Sequence, residues 1–444
     1  MTASVMASAH ASGVRLIRFL YCDNGGVVRG KATHISALEA RLHSGIGLTV
    51  AMQAMNAFDQ LQRVEGMGPV GEIRLMPDPS TFVVLPYAPH TAALLVDLCT
   101  QEGEPWGACP RSFLKRVTQQ AADMGLMFRA SIENEFSLIT PVDAPLDPTL
   151  CFSTAGMLAA QAVIDDLFAW LEAQGIIPEQ YYPELAHGQH EISVQHAPLV
   201  AAADRQILVR ETIRAAAHAH GLRASLAPKP FLDQAGNGGH IHISAWTTDG
   251  RNAFWDGSQP LGLSAMGRQF IAGILEHLPA VLALTTPSVN SYQRLQPNTW
   301  SSGFRCWGPD NREAPVRVAS PYRHDLAGTI NLEFKPADLS SNPYLALGAL
   351  VVAGLDGIRR GLDPGEPVMI NPADMPEAER SARGITPLPR SLDEALDALE
   401  RDQLLLDALG PALATSYLAV RRSEAAACAD LSPEEIARRH RFIY

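Results

Sequence analysis

Glu133 and Glu135 in FRASIENEFSL, Glu191 in GQHEISV, His240 and His242 in GGHIHISAW and Glu333 in TINLEFK share one property. With the two-residue period of a strand, each falls on the polar face of a segment whose other face is apolar. Glu133 and Glu135 are expected to point the same way, opposite Phe128, Ala130 and Ile132. Gln189 and Ser193 accompany Glu191, Ser244 accompanies the two histidines, and Asn331 and Lys335 flank Glu333. A sheet with one solvated side explains any one of these strands. It explains the set less well, because a solvated face has no need of Glu and His with so few compensating Lys. Oxygen-rich clusters with an occasional imidazole suit Mg²⁺ or Mn²⁺, cations that commonly bridge the phosphates of a nucleotide. Such a wall concentrates like charge, so loss of Glu135 or Glu333 is expected to leave the cation-free fold as stable or more so.

Zinc is the competing cation. His240-x-His242, His218-x-His220 and His187-x-x-His190 have ligand-like spacings, but no Cys lies near them and none forms H-E-x-x-H. His218 and His220 close a helix, where the dipole accounts for them. Three of the arginines between His240 and Glu333 lie in motif-like stretches: Arg294 in NSYQRL, and Arg312 and Arg317 in NREAPVR. Guanidinium is the group for bidentate recognition of carboxylate and phosphate. Carboxylates for cations and arginines for anions point to phosphoryl transfer, and the absence of G-x-x-x-x-G-K-[ST] excludes a P-loop enzyme.

The elements that must carry these residues divide near residue 105. Before it, RLIRFLYCDNGGVVRGKAT predicts a hairpin turning at Asn24, Gly25 and Gly26, and TFVVLPY and TAALLVDLCT predict further strands. After it, helical periodicity begins at Ser112, continues over 156–174 and 204–220, and returns after a Ser391/Glu394 capping box in a helix running towards Gly410. The proline-rich stretch 363–390 reads as a surface excursion. The 444 residues are 47% hydrophobic and 18% charged, enough apolar material for a sizeable core. With 35 basic against 47 acidic residues, a net of −12, no basic excess exists for nucleic acid or an anionic membrane. Six scattered cysteines and no long apolar run lead to the expectation of a cytoplasmic protein in a reducing compartment.

Taken in order, ENEF, PELAHGQHE, PKP (Lys229) before GNGGHIH, NSYQRL, NREAPVR and LEFKPADLSSNPYLALGAL resemble the motifs of the glutamine synthetases, and PDPSTF at 77–82 resembles their N-terminal domain. The resemblance implies an α+β chain: an N-terminal β-grasp domain over 1–105 and a catalytic domain over 106–444 with a curved antiparallel sheet flanked by helices. It implies homo-oligomers, decamers or dodecamers of stacked rings. It also implies two or three Mg²⁺ or Mn²⁺ ions per site, one held by Glu135, Glu184 and Glu191 and another by Glu133, His240 and Glu333. Arg294, Gly236 and Lys335 would bind glutamate. His242, Ser244, Arg312 and Arg317 would serve ATP, and Arg312, Glu184 and Trp300 would act in catalysis.

The departures from the family pattern concern the amine. Trp300, in QPNTWSSGF, stands where ammonia-using members place a flap Glu, and MQAMNAFDQLQ at 52–62 replaces the D-G-S-S loop. Lys335 and Asn331 replace arginines, Ala235 replaces an Asn, and Ala373 replaces the adenylylated tyrosine. These features are similar to those of γ-glutamyl-amine ligases and the glutamine-synthetase-like domain of nodulin-type proteins. They imply an ATP-dependent ligase that joins the γ-carboxylate of glutamate to an amine through a γ-glutamyl phosphate, with an organic amine favoured over ammonia. Ammonia-dependent glutamine synthesis and a non-catalytic assembly protein are the alternatives. If Trp300 only packs the flap, Asp310 or Glu313 is the other acid available as base.

Overall fold

The N-terminal hairpin forms as its residues dictate. In the computed structural model, which describes residues 2–444, strands β1 (Leu16–Cys22) and β2 (Val28–His34) pair antiparallel with Leu16 opposite His34. Gly26 is needed at the turn. Its φ is 76°, and a Cβ there would lie 2.0 Å from the Ser340 carbonyl in the later part of the chain. With β3 (Ile46–Thr49), β4 (Glu72–Pro77), β5 (Val83–Val84) and β6 (Thr91–Cys99) the hairpin completes a mixed sheet in which β1 and β6 run parallel. Helices Thr2–Ala11, which periodicity alone does not reveal, and Ile35–Ser44 cover its apolar face through Val5, Ala9, Leu38 and Leu42.

FRASIENEFSL is not one strand. It is β7 (Leu126–Ile132) and β8 (Asn134–Ile139), broken at Glu133, and the two halves belong to different sheets. The remaining strands are β9 (Pro178–Pro183), β10 (Gln189–Val194), β11 (Ala197–Pro198), β12 (Arg223–Ser225), β13 (Ile241–Thr247), β14 (Trp307–Pro309), β15 (Val316–Ala319) and β16 (Asn331–Phe334). One sheet has the order β12-β8-β10-β9 and the other β11-β7-β13-β16-β15-β14. The curved wall is thus two sheets hinged at Glu133, antiparallel except for the β14–β15 pair.

The apolar strand faces pack on helices Pro110–Asp123, Thr154–Ala173, Leu199–Ala219, Ala265–Thr285 and Pro343–Arg360. The last follows β16 directly and is buried from Pro343 to Leu355, which fixes the strand that carries Glu333. The helix expected to run from Ser391 to Gly410 is two helices, Leu392–Arg401 and Gln403–Leu409. Asp402 leaves the first and caps the second by accepting the Leu405 N–H. Residues 363–390 are more than a surface excursion, since Val368, Met375 and Ile385 form a small core with Cys306 and Ala314. Among the described residues no single helix is long and apolar enough to cross a membrane.

Candidate active site

Two cross-strand rows meet at the hinge. In the first sheet Tyr182, Glu191 and Glu135 are register neighbours across β9, β10 and β8. In the second, Arg317, Glu333, His242 and Ser131 are register neighbours across β15, β16, β13 and β7. Glu133 at the break and His240 just before β13 join the rows. The Glu133 N–H donates to the His240 carbonyl at 3.0 Å, and the Glu135 N–H to the Gly238 carbonyl at 3.3 Å.

This polar face is not solvated: Glu135, Glu191 and Glu333 are 8%, 4% and 1% exposed. Buried carboxylates need partners or cations. His240 Nδ1 lies 3.0 Å from Glu133 and 3.5 Å from Glu333, and its Nε2 lies 3.8 Å from Glu135. His242 Nε2 lies 3.0 Å from Glu133, while its Nδ1 meets Asn331 Oδ1 at 2.8 Å. Glu135 also accepts the Gly238 N–H at 2.8 Å and the Gln189 amide at 3.1 Å.

The carboxylates fall into two electrostatic groups. Burial, reinforced by Glu133 and Glu135, pushes the Glu191 carboxyl well up. Burial, with Glu135 adding to it, takes Glu184 to about 7. These two have too little positive charge around them. For Glu133, burial opposes ionisation but the His242 and His240 imidazoles overcome it and hold the carboxyl well down. Glu333 is likewise opposed by burial, yet Lys335 and the histidines bring it to about 2. Lys335 Nζ is 3.3 Å from Glu333 Oε1, and Arg317 pairs with Oε2. Against burial, the Glu133 charge lifts His242 to about 9.

The donor set fits hard divalent cations, since Glu135, Glu184 and Glu191 supply carboxylate oxygens and the last two are short of nearby positive charge. Glu133, His242 and Glu333 present donor atoms within 4.8 Å of one another. His242, expected beside the nucleotide, also stands in this group of donor atoms. The reason is register, because β13 sets His242 directly across from Glu333.

Arg294 is brought to the same place. It is buried, with Nη2 3.3 Å from both His240 Nε2 and the Lys335 carbonyl, and with Nη1 unpartnered. Gly236 and Gly238 permit this packing. A Cβ on Gly236 would lie 2.9 Å from Arg294 Cγ. A Cβ on Gly238 would lie 2.8 Å from each of Arg294 Nη2, Glu135 Oε1 and His240 Nε2. Lys229 braces the same loop through its ammonium on the Gln234 carbonyl.

Ser244, Arg312 and Trp300 stand apart from the cluster. Ser244 Oγ accepts the Trp246 indole N–H at 2.9 Å, and Arg312 is exposed. Trp300 is 56% exposed on a flap in which Asn298, Trp300 and Ser302 all have positive φ, a conformation that costs of order 1 kcal/mol or more per non-glycine residue. Two residues near the site were not singled out by pattern. Tyr182 donates its hydroxyl to Glu191, and only the strand register reveals it. Asp338, buried with Oδ2 unpartnered, was hidden because its segment belongs to a loop without period.

Residues 1–106 match the model of the glutamine synthetase N-terminal domain and residues 107–439 that of the glutamine synthetase catalytic domain. The chain is 38% identical to the gamma-glutamylpolyamine synthetase GlnA3 of Streptomyces coelicolor, over 97% of this chain and 94% of that protein. It is 35% identical to the glutamine synthetase of Halobacterium salinarum, over 95% and 92% of the two chains. Among solved structures, the ADP complex of GmaS superposes with a TM-score of 0.86 at 31% identity, covering 96% of this chain and 97% of that one. The two domain matches together span almost all of the sequence, so the chain belongs to the glutamine synthetase family.

Proposed function

We propose that this enzyme is an ATP-dependent glutamate–amine ligase that activates the γ-carboxylate of glutamate as an acyl phosphate and prefers an organic amine to ammonia as the acceptor. The observation that carries the activity is the meeting, at Glu133, of two buried carboxylate rows with Arg294 and Arg317 beside them. Phosphoryl transfer between two anions requires such a mixture of cation-holding oxygens and fixed guanidinium groups.

In this reading Glu135, Glu184 and Glu191 hold one Mg²⁺ or Mn²⁺, and Glu133, His240 and Glu333, with His242 alongside, hold another. The ions supply positive charge to the ATP phosphates. Arg294, with Gly236 shaping its pocket and Lys335 behind it, anchors glutamate. Arg317 and Arg312 meet the phosphates, with His242 and Ser244 at the nucleotide side. Glu184, half-buried where Glu135 and Glu191 are buried, is open to the acceptor amine and suited to take its proton.

The preference for an organic amine rests on Trp300, whose exposed indole offers a π-face and no carboxylate to an incoming amine. Similarity to a relative named a γ-glutamylpolyamine synthetase supports it. Ammonia-dependent glutamine synthesis is the second reading, supported by the similarity to a named glutamine synthetase. We further propose a division between domains at residue 105/106. We also propose a homo-oligomer of stacked rings, a decamer or dodecamer, for which Val70, Val142, Leu150 and Leu158, all far more exposed than such side chains usually are, offer apolar contact surface. Sedimentation velocity measures that stoichiometry.

Glutamate labelled with ¹⁸O in the γ-carboxylate tests the chemistry. Acyl phosphate formation moves one labelled oxygen into the released phosphate on each turnover with amine. Unlabelled phosphate would contradict the proposal.

A further inference from the structure

Glu313 lies in NREAPVR beside Arg312, in a position where it could act as an acid or base, but its surroundings assign it another task. It is 7% exposed, and both oxygens are occupied by the flap backbone. Oε1 accepts the Trp300 N–H at 2.7 Å and Oε2 the Asn298 N–H at 3.3 Å. Those are two of the three flap residues with positive φ. The other side of the flap is tied to Arg294, whose carbonyl accepts from Ser301 Oγ at 2.9 Å and Thr299 Oγ1 at 3.2 Å. Asn371, from the proline-rich stretch, donates to the Asn298 side chain at 2.6 Å. Asp310, the other candidate base, is engaged by Ser320 through its N–H and hydroxyl.

We infer that Glu313 is a positioning residue for amine selection: its carboxylate holds the flap in its left-handed conformation and so fixes the Trp300 indole at the acceptor entrance. This rests on the reading of Trp300 as the amine platform. A charged acceptor suits two converging N–H groups better than a neutral one, because each such bond is strengthened by the ionised oxygen. Without it, a tryptophan with positive φ has little reason to stay there. The tie through Ser301 and Thr299 to the Arg294 carbonyl places the flap and the glutamate-binding guanidinium on one short segment.

The test uses the full-length enzyme and two variants, Glu313→Gln and Glu313→Ala, with glutamate, MgATP, and either a short organic amine or ammonium. The amide of Glu313→Gln keeps the volume but can accept at only one end, so this variant carries the test if Glu313→Ala does not fold. KM for the organic amine should rise about tenfold or more. KM for glutamate and ATP should stay within about twofold, and kcat at saturating amine should be largely retained. Limited proteolysis should begin to cut within residues 297–303. An unchanged amine KM would overturn the inference. So would a collapse of kcat with KM unchanged and a shifted pH profile, which would make Glu313 a base. If wild type turns over ammonium best, the organic-amine reading fails by itself. The inference then stands or falls on whether Glu313→Gln raises the KM for ammonium and exposes the flap.

Discussion

Glu135 and Glu191 stand directly opposite one another on adjacent antiparallel strands, both buried. Like charges in that relation destabilise a sheet by up to about 1 kcal/mol, and they persist where a cation is to be shared. Glu191→Gln should therefore leave the cation-free protein as stable as wild type or more so, since Tyr182 can still donate to the amide oxygen. Mg²⁺ should lose much of its effect. In wild type, saturation a hundredfold above Kd adds about 2.7 kcal/mol. Thermal melts with and without Mg²⁺ measure both, and a Glu191→Gln variant that melts lower without Mg²⁺ would contradict the assignment.

Glu333 behaves oppositely, and here the expectation drawn from like-charge crowding fails. Its carboxylate neutralises the fully buried Lys335 and pairs with Arg317, so its loss strands a charge and does not relieve one. Removing one partner of a buried pair costs about 3–5 kcal/mol. Glu333→Ala should melt well below wild type even without cations, and below Glu135→Ala, whose loss also relieves the repulsion from Glu191. Chemical denaturation of the two variants side by side separates the cases.

Acid should destabilise the fold through His440, far in sequence from the carboxylate rows. Burial lowers its imidazole to about 4, while in the unfolded chain it titrates near 6.5. The unfolded state thus binds the proton first. The stability associated with neutral His440 is present above about pH 6.5 and is lost as pH falls towards 4, by about 3 kcal/mol in all. Denaturation midpoints between pH 7.5 and 4.5 should fall more steeply for wild type than for His440→Gln.

Gly238 offers a steric test of the same site. A methyl group there would meet Arg294, Glu135 and His240 at once, each already held by other partners. Gly238→Ala should raise KM for glutamate about tenfold or more while the chain still folds. Steady-state kinetics and a melt of the same preparation check it.

Much of the site could be read from sequence because burial forces a two-residue alternation on strands, and Phe128, Ala130 and Ile132 do line the core opposite Ser131. The alternation says nothing about which sheet a strand joins. FRASIENEFSL therefore reads as continuous although the chain changes sheet at Glu133, and the pairing of His242 with Glu333 across β13 and β16 is not legible in either strand alone. Helix cores such as 343–360 follow from apolar content, but the break at Asp402 depends on a side chain capping the next helix, which amphipathic periodicity does not report. Glu313 was visible only as an acid. Its role depends on backbone N–H groups of a loop with positive φ, and no pattern of side chains encodes those.

The most direct measurement is kcat/KM for ADP release with glutamate and MgATP, taken for ammonium and for a series of short alkyl amines and polyamines. At least one organic amine should exceed ammonium, and Trp300→Glu should shift the ratio towards ammonium. Turnover that is fastest with ammonium, with every organic amine far poorer, would contradict it.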